Sequence, residues 1–385
     1  MPARVLGING VFHDPAAALV VDGEIVAASE EERFTRRKHG KVPVPFSTWE
    51  LPENAARWCL EQGGLEPSDL DAVAYSYDPE LAPPVGADIT AENWEGLRSL
   101  YVRRAPLALE AALPGLAPSI VRYVRHHVAH AASAHLASPH ESSAVLVMDG
   151  RGESASYLAG HARPDASLRV LAVQPLPHSL GLLYEGLTEH LGFKRASDEY
   201  KVMALASYGE PAFLDEFRRA VRATGDGGFR VESVEWARFA PPLGSGGDHW
   251  ETVHADLAAS VQRRLEEVLL ELAFWLHERT GESSLTMAGG VALNCVANSR
   301  IWREGPFEDV WVQPASGDSG TALGAALEVS RQLGDSPRPM LSAALGRDFD
   351  AEIESWLGRA AVPYERSHDL AAEVADELAA DGVVA

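Results

Sequence analysis

One pattern occurs twice along this 385-residue chain: three short apolar segments joined by tight polar turns. The first copy runs Val5–Asn9, a turn from Asn9-Gly10 to Asp14-Pro15, Ala16–Val21, the hairpin signal Asp22-Gly23, and Glu24–Ser29. The second runs Ser143–Met148, the turn Asp149-Gly150-Arg151-Gly152, Ser154–Gly160, the loop Arg163-Pro164-Asp165, and Leu168–Gln174. Each copy is followed by helical segments, so the chain is expected to form two similar α/β lobes with their turns facing one cleft. Glycine at such turns lets backbone N–H groups approach a bound phosphate closely.

The rest of the chain fits around these meanders. The apolar residues Leu257, Val261, Leu265, Val268, Leu269, Leu272 and Leu276 repeat at helical spacing over Asp256–Thr280, with Gly281 as the stop. A second amphipathic helix is expected over Pro52–Gln62. The Gly- and Pro-rich stretch Ala223–Gly247 reads as an irregular insertion able to shape a substrate pocket. Asp335–Pro339 reads as a linker, followed by helices over Ala351–Leu357 and Leu370–Ala380 and the opening of a strand at Gly382–Ala385. The expected division is a two-lobed body over residues 1–340, its lobes about 1–140 and 141–335, and a further segment 341–385.

Composition narrows the function. A net charge of -23 argues against nucleic acid or an anionic membrane as a partner. The two cysteines, Cys59 and Cys295, form no disulfide framework or CxxC pair. The N-terminus shows no leader pattern, and no apolar run reaches the ~20 residues of a membrane span. A soluble cytoplasmic protein is expected.

Five groups of residues could carry chemistry. His126 and His130 are four apart, which on a helix aims both imidazoles at one cation, and Asp149 and Asp318 could complete a hard N/O set suited to iron, manganese or zinc. A histidine-rich surface helix is the other reading, since five histidines lie between 126 and 140. Gly289-Gly290 through Asn294, and Ser316-Gly317-Asp318-Ser319-Gly320, are small-residue turns that could wall a nucleotide pocket or serve as turns alone. His13, in the first cleft turn, could move a proton or orient a carbonyl, or could simply pack there. The run Arg33, Arg36, Arg37, Lys38 and Lys41 is either an anion clamp or a solvated face. Ser197–Met203 reads as a charged network lining the cleft or as salt-bridged structure.

The strand–turn meanders follow the actin and sugar-kinase plan. Gly7–Asp14, Ser29–Phe34, His126–His130, Val147–Gly150, Asp198–Met203, Gly289–Asn294 and Ser316–Gly320, in that order, resemble the O-carbamoyltransferases of antibiotic and nodulation-factor biosynthesis. The resemblance implies a duplicated actin-like (ASKHA) fold similar to the tRNA threonylcarbamoyl transferase, followed by a YrdC-like domain of which residues 341–385 are only the beginning. It implies that carbamoyl phosphate and ATP are converted to carbamoyl-adenylate, and that this part transfers the carbamoyl group to an acceptor alcohol. Carried over by residue, His126, His130, Asp149 and Asp318 hold a divalent metal acting as a Lewis acid. Gly150, Gly289, Gly290, Asn294, Ser316 and Gly317 meet the nucleotide, and His13 and Lys38 lie near the carbamoyl group. A metal-dependent hydrolase, a sugar-kinase-like phosphotransferase and a nucleotide-binding partner subunit without its own activity are the competing classes.

Overall fold

Both meanders become sheets, and the two sheets have the same topology. The computed structural model describes residues 2–40, 50–82, 94–247 and 249–384. In the first sheet β1 (Arg4–Asn9), β2 (Ala16–Val21) and β3 (Glu24–Glu30) form the antiparallel meander, and β4 (Ala72–Tyr75) and β5 (Val121–Tyr123) add parallel on the other side of β1. The order is β3-β2-β1-β4-β5. In the second sheet β6 (Ser143–Met148), β7 (Ala155–Ala162) and β8 (Leu168–Pro175) repeat the meander, and β11 (Ser284–Ala288) and β12 (Asp309–Val312) repeat the parallel pair, giving β8-β7-β6-β11-β12. This is the duplicated actin-like plan expected from the repeat.

Helices fill the connections. The first half carries α1 (Glu32–Thr35), α2 (Glu53–Gly63), α3 (Trp94–Ala112) and α4 (His126–His135); the second carries α5 (Leu180–His190), α6 (Glu199–Ala206), α7 (Leu214–Ala220), α8 (Thr252–Thr280), α9 (Cys295–Glu304) and α10 (Ser319–Gln332). Gly281 ends α8 in the left-handed conformation, at φ 69°. The stretch 223–247 is more ordered than its composition suggests. The small hairpin of β9 (Val221–Ala223) and β10 (Phe229–Val231) buries Phe229 in the core of the second half, and Trp236 stacks on Phe217. Large apolar side chains outweigh the local Gly and Pro content.

The helices that close the two halves trade places. α4 leaves the first sheet and packs over β6, β7 and β11, while α10 leaves the second sheet and lies across β1, β2 and β4. The two also cross each other, with Gly324 at the crossing: a Cβ there would stand 1.8 Å from the Ala129 carbonyl oxygen. Gly7 of β1 gives α10 the same freedom, since its Cβ would meet the Ala322 oxygen at 1.9 Å. The stretch 335–339 is tied back to the first sheet. Asp335 accepts the Ala3 N–H at 3.2 Å, and Arg338 pairs with Glu24 at 2.8 Å.

Two compact units divide the chain, Met1–Leu345 and Gly346–Ala385. The second contains α11 (Asp350–Ala360) and α12 (Leu370–Ala379), and residues 382–384 form no strand within it. A strand needs a hydrogen-bonding neighbour, and the described residues of this unit provide none. No helix among the described residues is long and apolar enough to cross a membrane.

Gly324→Ala should lower stability in urea unfolding by about 1–3 kcal/mol or more, because the helices must separate to admit one methyl group. Gly244→Ala, whose Cβ would meet nothing within 4 Å, should stay within about 0.5 kcal/mol of wild type.

Candidate metal centre and its flank

The crossing brings the start of α4 against the start of α10. Glu153 sets the direction of α4 by accepting the His126 N–H at 2.8 Å and the Asp78 N–H at 2.9 Å. A carboxylate at a partly buried helix N-terminus contributes roughly 0.3–2 kcal/mol. Asp149 follows the last residue of β6, and Asp318 stands immediately before α10. His126 Nε2 lies 3.3 Å from Asp149 Oδ2 and 3.5 Å from Asp318 Oδ1; His130 Nε2 lies 3.8 and 3.5 Å from the same atoms. One donor atom from each of the four residues falls within 4.8 Å of all the others, and all four residues are buried. The alternative of a solvated histidine helix is excluded by that burial.

The surroundings prepare these atoms as ligands. His126 Nδ1 donates to the Ser76 carbonyl at 3.2 Å, which leaves the Nε2 lone pair facing the two aspartates. Ser76 is held in turn by Thr321 at 2.9 Å and by Asn9 at 3.1 Å. Phe12 packs edge-on to the His126 ring with centroids 5.0 Å apart. Asp149 Oδ1 accepts the Gly290 N–H at 3.1 Å, fixing the carboxylate from the β11 side.

Charge and hydrogen bonding fit this cluster to a cation. Burial pushes both carboxyls up, but His126, His127 and His130 around Asp149, and His13 and His126 around Asp318, hold both well below the usual carboxylate range. Burial pulls His126 down, yet Asp318 and Asp149 raise it well above an ordinary imidazole, while burial leaves His130 lowered. His126 Nε2, both nitrogens of His130 and Asp318 Oδ2 are buried without a hydrogen-bond partner. At about 1–3 kcal/mol for each unsatisfied group, that many orphans are costly unless a ligand meets them. One divalent ion with two neutral imidazoles and two carboxylates meets His126 Nε2, His130 Nε2 and the Asp318 carboxylate and balances the charge, leaving His130 Nδ1 outside its reach, so the residues fit the group.

The other expected site residues fall around this cluster. His13 is at its mouth, Nε2 3.7 Å from Asp318 Oδ2 and Nδ1 2.7 Å from Asp14. Lys38 is directed over the Tyr200 ring, 5.8 Å from its centroid. Gly289, with φ 95°, packs onto β6, where a Cβ would stand 2.3 Å from the Met148 oxygen, and its N–H donates to Ser316 O at 2.8 Å. The turns bearing Gly289-Gly290 and Ser316-Gly317 are thus side by side. Gly150 lies under the start of α5, where Ser179 Oγ donates to its carbonyl at 2.7 Å. Asn294 caps α9 and exchanges hydrogen bonds of 2.8 and 3.1 Å with Gln262. Arg33 pairs with Glu30 at 2.8 Å and Arg37 pairs with Glu50, so two charges of the basic run are already committed to glutamates; Lys41 lies outside the described residues. Asp198 pairs with Lys201 at 3.0 Å, the salt-bridged alternative for that stretch. Sequence reasoning missed Glu153, His127 and His39. Of these His127 lay inside the histidine run, and Glu153 and His39 carried no local signal.

Residues 4–327 match the family model described as carbamoyltransferase N-terminus. The chain is 36% identical over 434 residues to the uncharacterized protein sll1178 of Synechocystis sp., covering 99% of the chain and 67% of the relative. It is 37% identical over 404 residues to nodulation protein NolNO of Sinorhizobium fredii, covering 98% of the chain and 55% of that protein. The chain thus spans about half to two thirds of the length of these curated relatives. The crystal structure of T. kodakarensis HypF superposes with a TM-score of 0.50 at 14% identity, covering 88% of the chain and 50% of HypF, a likeness of fold.

Metal affinity should fall as pH falls, because two imidazoles must be free of protons at Nε2 to coordinate. Titration of the metal-free protein with manganese(II) or zinc(II) at several pH values should show that dependence. His130→Ala should abolish stoichiometric binding.

Proposed function

The chain belongs to the carbamoyltransferase N-terminus family, and on that premise we propose that it carries the transfer site of an ATP-dependent O-carbamoyltransferase. In this reading carbamoyl phosphate is first activated as carbamoyl-adenylate by a YrdC-like part of the whole protein. The site described above then passes the carbamoyl group to a hydroxyl of a natural-product acceptor. The observation that carries the reading is the buried His126, His130, Asp149 and Asp318 cluster, set against the paired glycine turns. A mixed imidazole and carboxylate set of this kind suits iron, with manganese or zinc as alternatives; when bound, the ion would supply Lewis acidity at an oxygen of the adenylate.

The chain's own residues account for the rest. The turns at Gly289-Gly290 and Ser316-Gly317 offer a surface free of side-chain bulk against which the nucleotide can lie, and Gly150 supplies the facing turn of the other meander. Asn294, fixed by Gln262, holds the start of α9 beside that surface. His13, oriented by Asp14, presents Nε2 at the mouth of the cluster, where it can orient the carbamoyl group. Lys38 adds a cation at the same edge of the cleft. AMP is a good leaving group, so what the site must supply is orientation and exclusion of water.

Release of AMP from chemically prepared carbamoyl-adenylate tests the reading. It should require added divalent metal, stop on chelation, and fall by more than about 100-fold in His130→Ala, since loss of a ligand should exceed the effect of losing its supporting shell. Neither binding nor consumption of the adenylate by the metal-loaded chain would overturn it.

A further inference from the structure

Beside the metal cluster lies a second constellation, assembled from three distant segments. Asp14 bridges two histidines: Oδ2 meets His13 Nδ1 at 2.7 Å and Oδ1 meets His39 Nδ1 at 2.7 Å. The other nitrogen of His39, Nε2, reaches across the cleft to Ser197 Oγ at 3.0 Å, between residues 158 apart in sequence. With Nδ1–H donated to Asp14, Nε2 presents its lone pair to that hydroxyl. A hydroxyl, an imidazole and a carboxylate in line are the parts of a general-base device.

The backbone is strained to build it. Phe12, Asp14 and His39 all lie in the left-handed region, at φ 59°, 51° and 60°, where residues other than glycine are rare. Asn9 locks the first turn by donating to the carbonyls of His13 and Asp14, each at 2.9 Å. Glu32 holds the second by accepting the His39 N–H at 2.7 Å. Gly40 allows the close approach: a Cβ there would stand 2.7 Å from Pro15 Cδ. Exposure separates this group from the metal cluster. The side chains of His13, Asp14 and His39 are 26%, 20% and 21% exposed, whereas those of His126, His130, Asp149 and Asp318 are between 0% and 7% exposed.

We infer that His39, oriented by Asp14, is the general base that takes the proton from the acceptor hydroxyl, and that Ser197 Oγ marks the position that hydroxyl occupies. The inference rests on the carbamoyl-transfer reading. As the acceptor oxygen forms its bond to the carbamoyl carbon, its proton passes to His39 Nε2. The bond from that carbon to the phosphate oxygen breaks, and AMP leaves with the electron pair. The imidazolium is balanced by Asp14 and returns its proton to the open cleft. Asp198 Oδ1, 3.3 Å from Ser197 Oγ, is the rival acceptor at this hydroxyl among the described residues.

The test uses the metal-loaded chain with carbamoyl-adenylate and glycerol as the probe alcohol, reading AMP release and carbamoyl-glycerol formation. His39→Gln keeps a donor for Asp14 but has no basic nitrogen; it should lower kcat by about 10²–10⁴-fold with metal content and adenylate affinity unchanged. His39→Ala should be equally slow and regain rate with added imidazole, which a purely structural role would not allow. A His39→Gln variant with the wild-type kcat, or a His39→Ala variant unresponsive to imidazole, would overturn the inference, and a slow Asp198→Asn beside a normal His39→Gln would give the role to Asp198. If the wild-type chain itself consumes no carbamoyl-adenylate, the carbamoyl-transfer reading fails first and takes this inference with it.

Discussion

The site depends on two helices meeting backbone to backbone. At Gly324 the axis of α10 approaches α4 until only hydrogen fits between them, and at Gly7 the same helix settles onto β1. Asp318 is carried at the start of α10, while His126 and His130 stand on the first turns of α4. Ligand distances in a metal site tolerate only ~0.2 Å, so the spacing of these helices is as much a part of the site as the ligands. Packing the two halves by exchanged helices turns a fold-level contact into a local tolerance. It also explains why the ligands come from both halves: Asp149 ends the first strand of the second sheet, and His126 opens the helix that follows the last strand of the first.

Within that frame, burial divides the work. The four inner residues are cut off from water, which strengthens every charge interaction among them and makes their orphaned atoms expensive. His13, Asp14 and His39 sit one layer out, where a proton can be exchanged with solvent. Asp14 is the hinge between the layers. Burial raises its carboxyl, but the two histidines it bridges hold it far below the usual range, so it stays ionised and can orient both. His13 then faces inward to Asp318 and His39 outward to Ser197.

Much of this was readable in the chain, for identifiable reasons. The meanders showed because alternating apolar strands and glycine-bearing turns are local signals, and β2 and β6 fall at the expected residues. That His126 and His130 share one face showed because their i, i+4 spacing aligns them as soon as the helix forms. The group around His39 did not show. Its members, at 14, 39 and 197, are joined only by tertiary structure, and two of them adopt left-handed conformations without being glycine, so no turn signal marks them. The stretch 223–247 misled for the opposite reason: its Gly and Pro residues are prominent in sequence, but Phe229 and Trp236 decide where it goes.

The charge of the chain makes the source of anion affinity a real constraint. At -23 overall, long-range attraction for a phosphate-bearing ligand is absent, and Arg33 and Arg37 in the basic run are already paired with glutamates. Fields from exposed charges fade over roughly 10 Å at ordinary ionic strength, so the ligand must be held by what it touches. On the reading proposed above, two short-range sources converge here, the N-terminus of α10 and the positive charge that the four buried residues could hold, since the Gly289 and Gly290 N–H groups already donate to Ser316 O and Asp149 Oδ1. On that reading, a locally positive floor within an acidic surface would favour ligands small enough to reach it. On the reading proposed above, the same arrangement that polarises the adenylate also selects it.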